Sequence, residues 1–242
     1  TYVVTAELEK AKEIAFKQCC LAIDILKICS ETVDFPDYKI SFDLDSRTTE
    51  SFYGEMISFQ TKDLTSMITH NSVLPKFYTL DSEMWDRMRN RHFKIYNDFL
   101  SSQNENRTEL EKLILKSIEK FARALSTTNL NQRIADIFTI FESLLLVDQN
   151  SPIIDNVTKY SSKIVFKTIE QRKEIIALMK KMYGIRSKYM HHAINEEIEI
   201  DELSKLQRVL SALLANLIQK SKTHSVKETI LQEIDDAIIR AY

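Results

Sequence analysis

The sequence predicts a mostly α-helical protein, with a helical bundle in its second half and, before it, a small α+β region that contains a short hairpin. The 242 residues include only two glycines and three prolines. Because turn-rich β folds need many residues that tolerate positive φ or rigid turns, this composition favours long helices with short polar connections. With 44% hydrophobic and 28% charged residues, the chain has the composition of a globular protein rather than a disordered one.

Most of the chain falls into segments with apolar residues at the three- and four-residue steps of amphipathic helices. These segments span residues 5–31, 81–100, 107–126, 129–147, 152–165, 168–192, 201–221 and 225–240. Asp81 or Ser82 is a candidate N-cap of the segment at 81–100, and Asp201 of the segment at 201–221. Short polar side chains suit these positions because they accept hydrogen bonds from the free N–H groups of a first turn.

Between the first two of these helices the pattern changes from helical to alternating. Residues 38–44 alternate apolar and polar side chains, and residues 52–59 are rich in aromatic and β-favouring side chains. We therefore expect two strands, joined as a hairpin by the polar run 45–51. Residues 61–80 mix helical and loop signals and predict no single element.

The run 101–106 is the most polar break in the chain and predicts a domain boundary. Residues 1–104 would form an α+β recognition or packing region whose function the sequence does not indicate. Residues 105–242 would form the helical domain. The chain begins at Thr1 rather than at methionine, which is consistent with a piece of a longer protein.

Charge and cysteine content limit the partners and the compartment. The formal net charge is -2, so any contact with RNA must come from a local cationic site. Cys19, Cys20 and Cys29 cluster in one segment, which suits buried thiols in a reducing compartment better than a disulfide framework. No segment resembles a signal peptide or a membrane span, so we expect a cytoplasmic protein that does not bind a membrane.

The candidate functional residues begin with Arg186 and His191, five positions apart. In a chain of this composition, an arginine followed by a histidine four to six positions later is expected by chance roughly 0.7 times. A second instance, Arg87 with His92, is indeed present. The spacing alone is therefore weak evidence, and the surrounding segments distinguish the Arg186 instance from the other.

These surrounding segments resemble the Apea-like HEPN family. Residues 130–146 resemble a helix of that family that ends in an acidic, leucine-rich pattern. Residues 171–191 resemble the segment that carries the family's motif: a lysine-rich helix with a tyrosine, then two further residues, Arg-Ser and finally the histidine. The resemblance covers about residues 107–221. It departs from the family at Ser187, where Asn, Asp or His is common, and at His192, where Gly is common.

The resemblance implies a compact helical bundle, usually dimeric, in which two motifs face each other across the interface and cut RNA without metal. Arg186 would bind the scissile phosphate through its planar, permanently charged fork. His191 would transfer a proton as the ribose 2′-hydroxyl attacks, which leaves a cyclic phosphate. Such domains act in bacterial defence, abortive-infection or toxin systems, so a further domain, a regulator or an antitoxin is an expected partner. No metal or other cofactor is expected.

Helix geometry restricts how one chain can use both residues. Five positions on a regular helix correspond to about 140° of rotation, so Arg186 and His191 would point in different directions. Either the helix distorts near Gly184 or ends around His191, or a second protomer supplies the partner group. These options favour a homodimer.

Neighbouring residues are candidates for supporting roles. Glu142 lies within an apolar run and needs a partner, for which Arg186 or a motif histidine is suitable; the alternative is a partly exposed residue at the helix edge. Tyr183 and Tyr189 would either stack on bases or pack in the core. The eight cations of 163–188 would form an RNA-facing patch or a solvated face. Candidate substrate-binding residues beside the motif are Ser187, Lys188, Tyr189 and His192.

The sequence is compatible with three functions of different classes. The leading hypothesis is a metal-independent endoribonuclease with Arg186, His191 and Glu142 as its catalytic residues, Glu142 orienting one of the others. The rival is a non-catalytic HEPN module that binds nucleotide or a partner protein, or only dimerises. A plain helical scaffold, in which Arg186 is an ordinary cation near a helix C-terminus, is the third.

Overall fold

The protein is mostly α-helical, as the sequence predicts. The computed structural model describes residues 8–40, 57–60, 66–69, 77–78, 82–89, 92–102, 106–147 and 152–240. The helices are α1 Leu8–Cys29, α2 Ser82–Arg89, α3 Phe93–Ser101, α4 Glu109–Ser126, α5 Leu130–Leu145, α6 Ile153–Val165, α7 Ile169–His192, α8 Ile200–Lys220 and α9 Lys227–Ile239. A short 3-10 turn at Glu31–Val33 follows α1.

The helices of the second half begin and end within two residues of their predicted bounds. Two details of the helix prediction are wrong. The single helix predicted at 81–100 is two helices, α2 and α3, and His92 takes the N-cap position of α3. The polar run 89–92 explains the break, since it gives a helix no apolar face to bury. Glu199 rather than Asp201 is the N-cap of α8, and Asp201 lies in the first turn, where its charge favours the helix dipole.

The short strands are β1 Lys39–Ile40, β2 Ile57–Gln60, β3 Ser66–Thr69 and β4 Phe77–Tyr78. A hairpin is present, but its partners differ from those predicted. Strand β2 pairs antiparallel with β3, Phe59 lying opposite Met67, whereas β1 pairs in parallel with β4. Only residues 61–65 separate β2 from β3 in the chain. Pairing β2 with β3 therefore costs less chain entropy than pairing β2 with the more distant β1. Most of the predicted strand 38–44 and the whole run 45–51 lie outside the described residues.

A single hydrophobic core runs through helices on both sides of the polar break at 101–106. Helix α5 packs against α4, α6, α7, α8 and α9, and its Phe138 and Phe141 are fully buried. Ile28 of α1 and Tyr96 of α3 belong to the same core, and the Tyr96 hydroxyl donates to the Ser211 carbonyl of α8 at 2.7 Å. The domain boundary at 104 stays a prediction, but the described helices before it share their core with those after it.

A buried polar network fixes the turn after α1 to the bundle. Arg133 of α5 is 3% exposed; its Nη1 donates to the Pro36 carbonyl at 2.8 Å and its Nε to the Thr127 carbonyl at 3.1 Å. From α8, Gln207 Nε2 donates to the Val33 carbonyl at 2.9 Å. Burial lowers the pKa of Arg133 to about 10, so the guanidinium remains charged at neutral pH. These bonds satisfy carbonyls that have no helical partner.

The three cysteines lie in α1 and are not joined in a disulfide, but their predicted burial holds for Cys29 alone. Cys20 is partly buried and Cys19 is exposed. The reason is helical rotation: adjacent residues point about 100° apart, so one helix cannot turn Cys19 and Cys20 to the same side.

Candidate functional site

Helix α7 places the motif on one continuous element. It begins after Thr168, whose side chain accepts a hydrogen bond from the Gln171 N–H at 3.3 Å, and ends where Ala193 adopts a left-handed conformation with φ of 53°. The helix runs through Gly184 without interruption and ends one residue after His191. Of the two alternatives for a single chain, α7 therefore shows the helix end next to His191 and not the distortion at Gly184.

Arg186 turns toward α5 and contacts Glu142. Its Nη2 lies 3.3 Å from Glu142 Oε1, and the two side chains are 16% and 20% exposed. The guanidinium also lies over the Tyr183 ring, 5.2 Å from its centre, and Nη1 donates to the Tyr183 hydroxyl at 3.4 Å. Arg186 is thus the partner that the apolar surroundings of Glu142 require.

Tyr183 is held in place by the core. Its ring meets Phe138 of α5 edge to face, with centres 5.2 Å apart and planes at 78°. This geometry is favourable for aromatic pairs. Tyr183 therefore packs between the core and Arg186, which agrees with the core interpretation of this tyrosine rather than with base stacking.

The ion pair between Arg186 and Glu142 is only partly satisfied. Burial raises the pKa of Glu142 above its ordinary value, although the nearby charge of Arg186 acts in the opposite direction. The 3.3 Å contact falls within ion-pair distance but lacks hydrogen-bond alignment, and among the described residues neither Glu142 Oε1 nor Arg186 Nε has a hydrogen-bond partner. The pair therefore keeps both an acceptor and a donor that the fold has not used.

His191 and His192 lie in the last turn of α7, and both are exposed. Within the described part of the chain, no hydrogen bond joins His191 to Arg186, which agrees with their separation of about 140° around a regular helix. Next to the histidines are exposed apolar side chains, Met190 at 54% and Ile194 at 47%. One chain thus presents Arg186 and His191 on different faces.

The neighbouring candidates are largely engaged by the fold. The Tyr189 hydroxyl donates to Gln132 Oε1 at 3.0 Å, which fixes this tyrosine against α5. Lys188 pairs with Glu196 at 2.7 Å. Ser187 is partly buried, and no hydrogen bond of its side chain is found within the described residues. Of the predicted substrate-binding residues, Ser187 and His192 thus have side chains that the fold leaves unengaged.

The sequence analysis missed two residues that hold the segment after α7. Asn131 Nδ2 donates to the Glu196 carbonyl at 3.1 Å, and the Glu196 N–H donates to Asn131 Oδ1 at 3.2 Å. This reciprocal pair fixes the segment after the histidines to the first turn of α5. The signal available in the sequence was an asparagine at the start of a predicted helix, because such a side chain often bonds to nearby backbone groups.

The cations of 163–188 do not form one continuous patch. Several are paired with carboxylates: Lys180 with Asp155 at 2.8 Å, Lys181 with Glu202 at 2.7 Å, Lys188 with Glu196 at 2.7 Å, and Arg186 with Glu142 at 3.3 Å. Lys163, Lys167 and Lys173 have no ion pair within the described residues. Lys173 is about 20 Å from Arg186 along the axis of α7, so this lysine lies far from the motif.

The second arginine–histidine instance is divided by the helix break. Arg87 of α2 pairs with Glu31 and with Glu83, whereas His92 begins α3. The two residues thus belong to different elements and share no described contact.

Gly184 provides a direct test of the geometry of α7. The glycine is exposed and helical, and a Cβ at this position would meet nothing within 4 Å. We expect Gly184→Ala to raise the free energy of unfolding by roughly 0.5–1 kcal/mol, because alanine loses less backbone entropy in a helix. Urea denaturation measures the change. Ala177→Gly, at another exposed position of α7, should lower stability by a similar amount. A loss of stability in Gly184→Ala would contradict the described helix.

Comparisons with known proteins identify no relative: no protein family, curated protein or solved structure matches this chain. In the part of the chain that the structure describes, no helix has the length and apolar character that crossing a membrane requires. The same residues contain no group of three or more His, Cys, Asp or Glu side chains that would hold a metal ion. The resemblance to the HEPN family therefore stays a prediction, and the function must be argued from the residues of the site.

Proposed function

We propose that this chain is an Apea-like HEPN endoribonuclease that cuts RNA without a metal ion, of the kind that serves bacterial defence or toxin systems. The supporting observation is the position of Arg186: its guanidinium is held between Glu142 and Tyr183, close to the surface. A cationic fork fixed in this way is suited to bind a phosphate and to stabilise the charge that develops on it.

Arg186 has enough donors for this task. A guanidinium carries five N–H groups, and the described contacts involve Nη1, with Tyr183, and Nη2, with Glu142. Nε is buried, so a phosphate would be bound by the N–H groups of Nη1 and Nη2 that these two contacts leave unused. Because the side chain is held by its neighbours before substrate arrives, little reorganisation is needed when the phosphate binds.

His191 would reach the phosphate from a second copy of the chain. It is exposed at the end of α7, on a different face from Arg186. A two-fold interface brings the same surface of two copies together, so His191 of one copy can approach Arg186 of the other. The exposed Met190 and Ile194 offer apolar side chains beside the histidines for this association.

The reaction would be an in-line transfer within the RNA. The ribose 2′-hydroxyl attacks the neighbouring phosphorus, the bond from phosphorus to the 5′-oxygen breaks, and the products carry a 2′,3′-cyclic phosphate and a 5′-hydroxyl. Proton transfer by positioned side chains assists such steps by about 10²–10⁴ in rate.

The test is the incubation of the purified protein with a short synthetic RNA in EDTA. We expect cleavage with cyclic-phosphate ends, and no cleavage of the same sequence built from 2′-deoxynucleotides, because that chain has no 2′-hydroxyl. RNA that stays intact between pH 5 and 8, at protein concentrations where the chain is dimeric, would overturn the proposal. Cleavage that EDTA abolishes would assign a different, metal-dependent nuclease.

A non-catalytic module is the second candidate, and one observation favours it. The charge of Arg186 is already paired with Glu142, which a residue with a purely structural role would also show. In that case nucleotides would raise the melting temperature of the protein, while RNA would remain intact in the same EDTA assay.

A further inference from the structure

The proposed reaction moves two protons, and His191 can move one of them. A proton must leave the 2′-hydroxyl, and another must reach the 5′-oxygen that departs. Arg186 remains charged at any working pH and therefore transfers neither. If His191 handles one proton, a second titratable group next to the phosphate is still needed.

Glu142 occupies the required position. Its Oε1 is 3.3 Å from Arg186 Nη2, so a phosphate bound by Arg186 would lie next to this carboxylate. The same oxygen is buried and has no hydrogen-bond partner among the described residues, so the fold does not use its lone pairs. The Glu142 side chain is 20% exposed, so its carboxylate borders the surface beside Arg186.

We propose that Glu142 is the general base of the reaction, accepting the 2′-hydroxyl proton beside the phosphate that Arg186 holds. This assignment rests on the proposed function and gives Glu142 a chemical role beyond orienting Arg186. The O2′–H bond breaks and its proton passes to the carboxylate, the O2′–P bond forms, and the P–O5′ bond breaks. The 5′-oxygen takes a proton from His191 of the second copy, and the two side chains return to their starting states by exchange with water.

The surroundings of Glu142 make its carboxylate a stronger base than that of an exposed glutamate. Burial raises the pKa of its carboxyl, and Arg186 of α7 is the charged group of the described chain that opposes this shift. Tyr183 adds an uncharged hydroxyl from the same helix. Lys227, at the start of α9, instead donates to the Ser143 and Leu146 carbonyls at the end of α5. Within the described residues, no side chain of α4, α6 or α8 forms an ion pair with Glu142.

The role of Glu142 predicts how the rate of RNA cleavage depends on pH. A general base works in its deprotonated form, so the cleavage rate should rise with pH through a value above the ordinary pKa of a glutamate. The acid limb of the pH profile therefore belongs to Glu142.

The discriminating variant is Glu142→Gln. Glutamine has the same shape and its oxygen can still accept a hydrogen bond from Arg186, so anchoring is retained, but it cannot take a proton. We expect kcat on the synthetic RNA to fall about 10²–10⁴-fold with KM little changed, and the acid limb of the pH profile to disappear. Glu142→Asp should keep the acid limb at a reduced kcat. Asp136→Asn, on the same helix, is the matched control and should behave as the wild type.

Each outcome decides the question. If the wild type cleaves RNA and a folded Glu142→Gln keeps both kcat and the acid limb, Glu142 only anchors Arg186 and the assignment is overturned alone. If Glu142→Gln does not fold, an unreduced kcat in Glu142→Asp overturns the assignment in the same way. If the wild type leaves RNA intact, the proposed function fails, and this role fails with it.

Discussion

Arg186→Ala is expected to abolish RNA cleavage while the protein stays folded. Removing one preorganised donor from a transition-state charge typically lowers kcat by about 10²–10³-fold. Arg186 supplies several donors and a full charge, so its loss should reach at least this range. Arg186→Lys keeps the charge but loses the planar fork, and an intermediate rate is expected. Initial rates on the synthetic RNA, with circular dichroism as the folding check, measure both effects.

A matched surface arginine controls for the loss of charge. Arg123 of α4 is exposed and pairs with Glu119 at 3.0 Å, so Arg123→Ala also breaks one arginine–glutamate contact, but far from the motif. This variant should keep its activity. Full activity in a folded Arg186→Ala would remove Arg186 from the active site and leave the ion pair with Glu142 as a structural feature.

Arg133→Met is expected to give the largest loss of stability, roughly 2–5 kcal/mol of unfolding free energy. The substitution leaves the Pro36 and Thr127 carbonyls without their donor, and each buried group left unsatisfied costs about 1–3 kcal/mol. Domains of this type are stable by only about 5–15 kcal/mol, so the effect should be plain in urea denaturation.

The control for this prediction is Arg208→Met. Arg208 of α8 is exposed, and its ion pair with Asp34 is long, at 3.8 Å. Exposed pairs of this kind contribute about 0–1 kcal/mol, so this variant should unfold close to the wild type. Equal stability of the Arg133 and Arg208 variants would contradict the view that the buried network fixes the turn after α1.

The helices could be predicted from sequence because apolar periodicity is a local signal. Helix α7, for example, was predicted at 168–192 and runs from Ile169 to His192. Strand pairing depends on contacts between segments, and the partners of β2 were accordingly predicted wrongly. The break between α2 and α3 was missed because apolar residues on both sides of it continue the same spacing.

The candidate site likewise has features that could be predicted from sequence and features that could not. A carboxylate in an apolar run needs a partner, so Arg186 or a motif histidine could be named in advance as the partner of Glu142, and helix geometry placed His191 on a different face from Arg186. The carboxylates that neutralise Lys180 and Lys181 could not be foreseen, since Asp155 and Glu202 come from other helices. The bond from Arg133 to Pro36 joins residues 97 positions apart and leaves no local signal.

The most direct test of a site shared between two chains is a mixture of two inactive variants. Arg186→Ala and His191→Ala protomers, refolded together in equal amounts, should form mixed dimers with one intact site each, since each chain supplies the residue that the other lacks. With half of the dimers mixed and one of their two sites intact, about one quarter of the wild-type activity should return. Each variant alone should stay inactive. A mixture as inactive as its components, with mixed dimers demonstrably present, would contradict a site composed of Arg186 from one copy and His191 from the other.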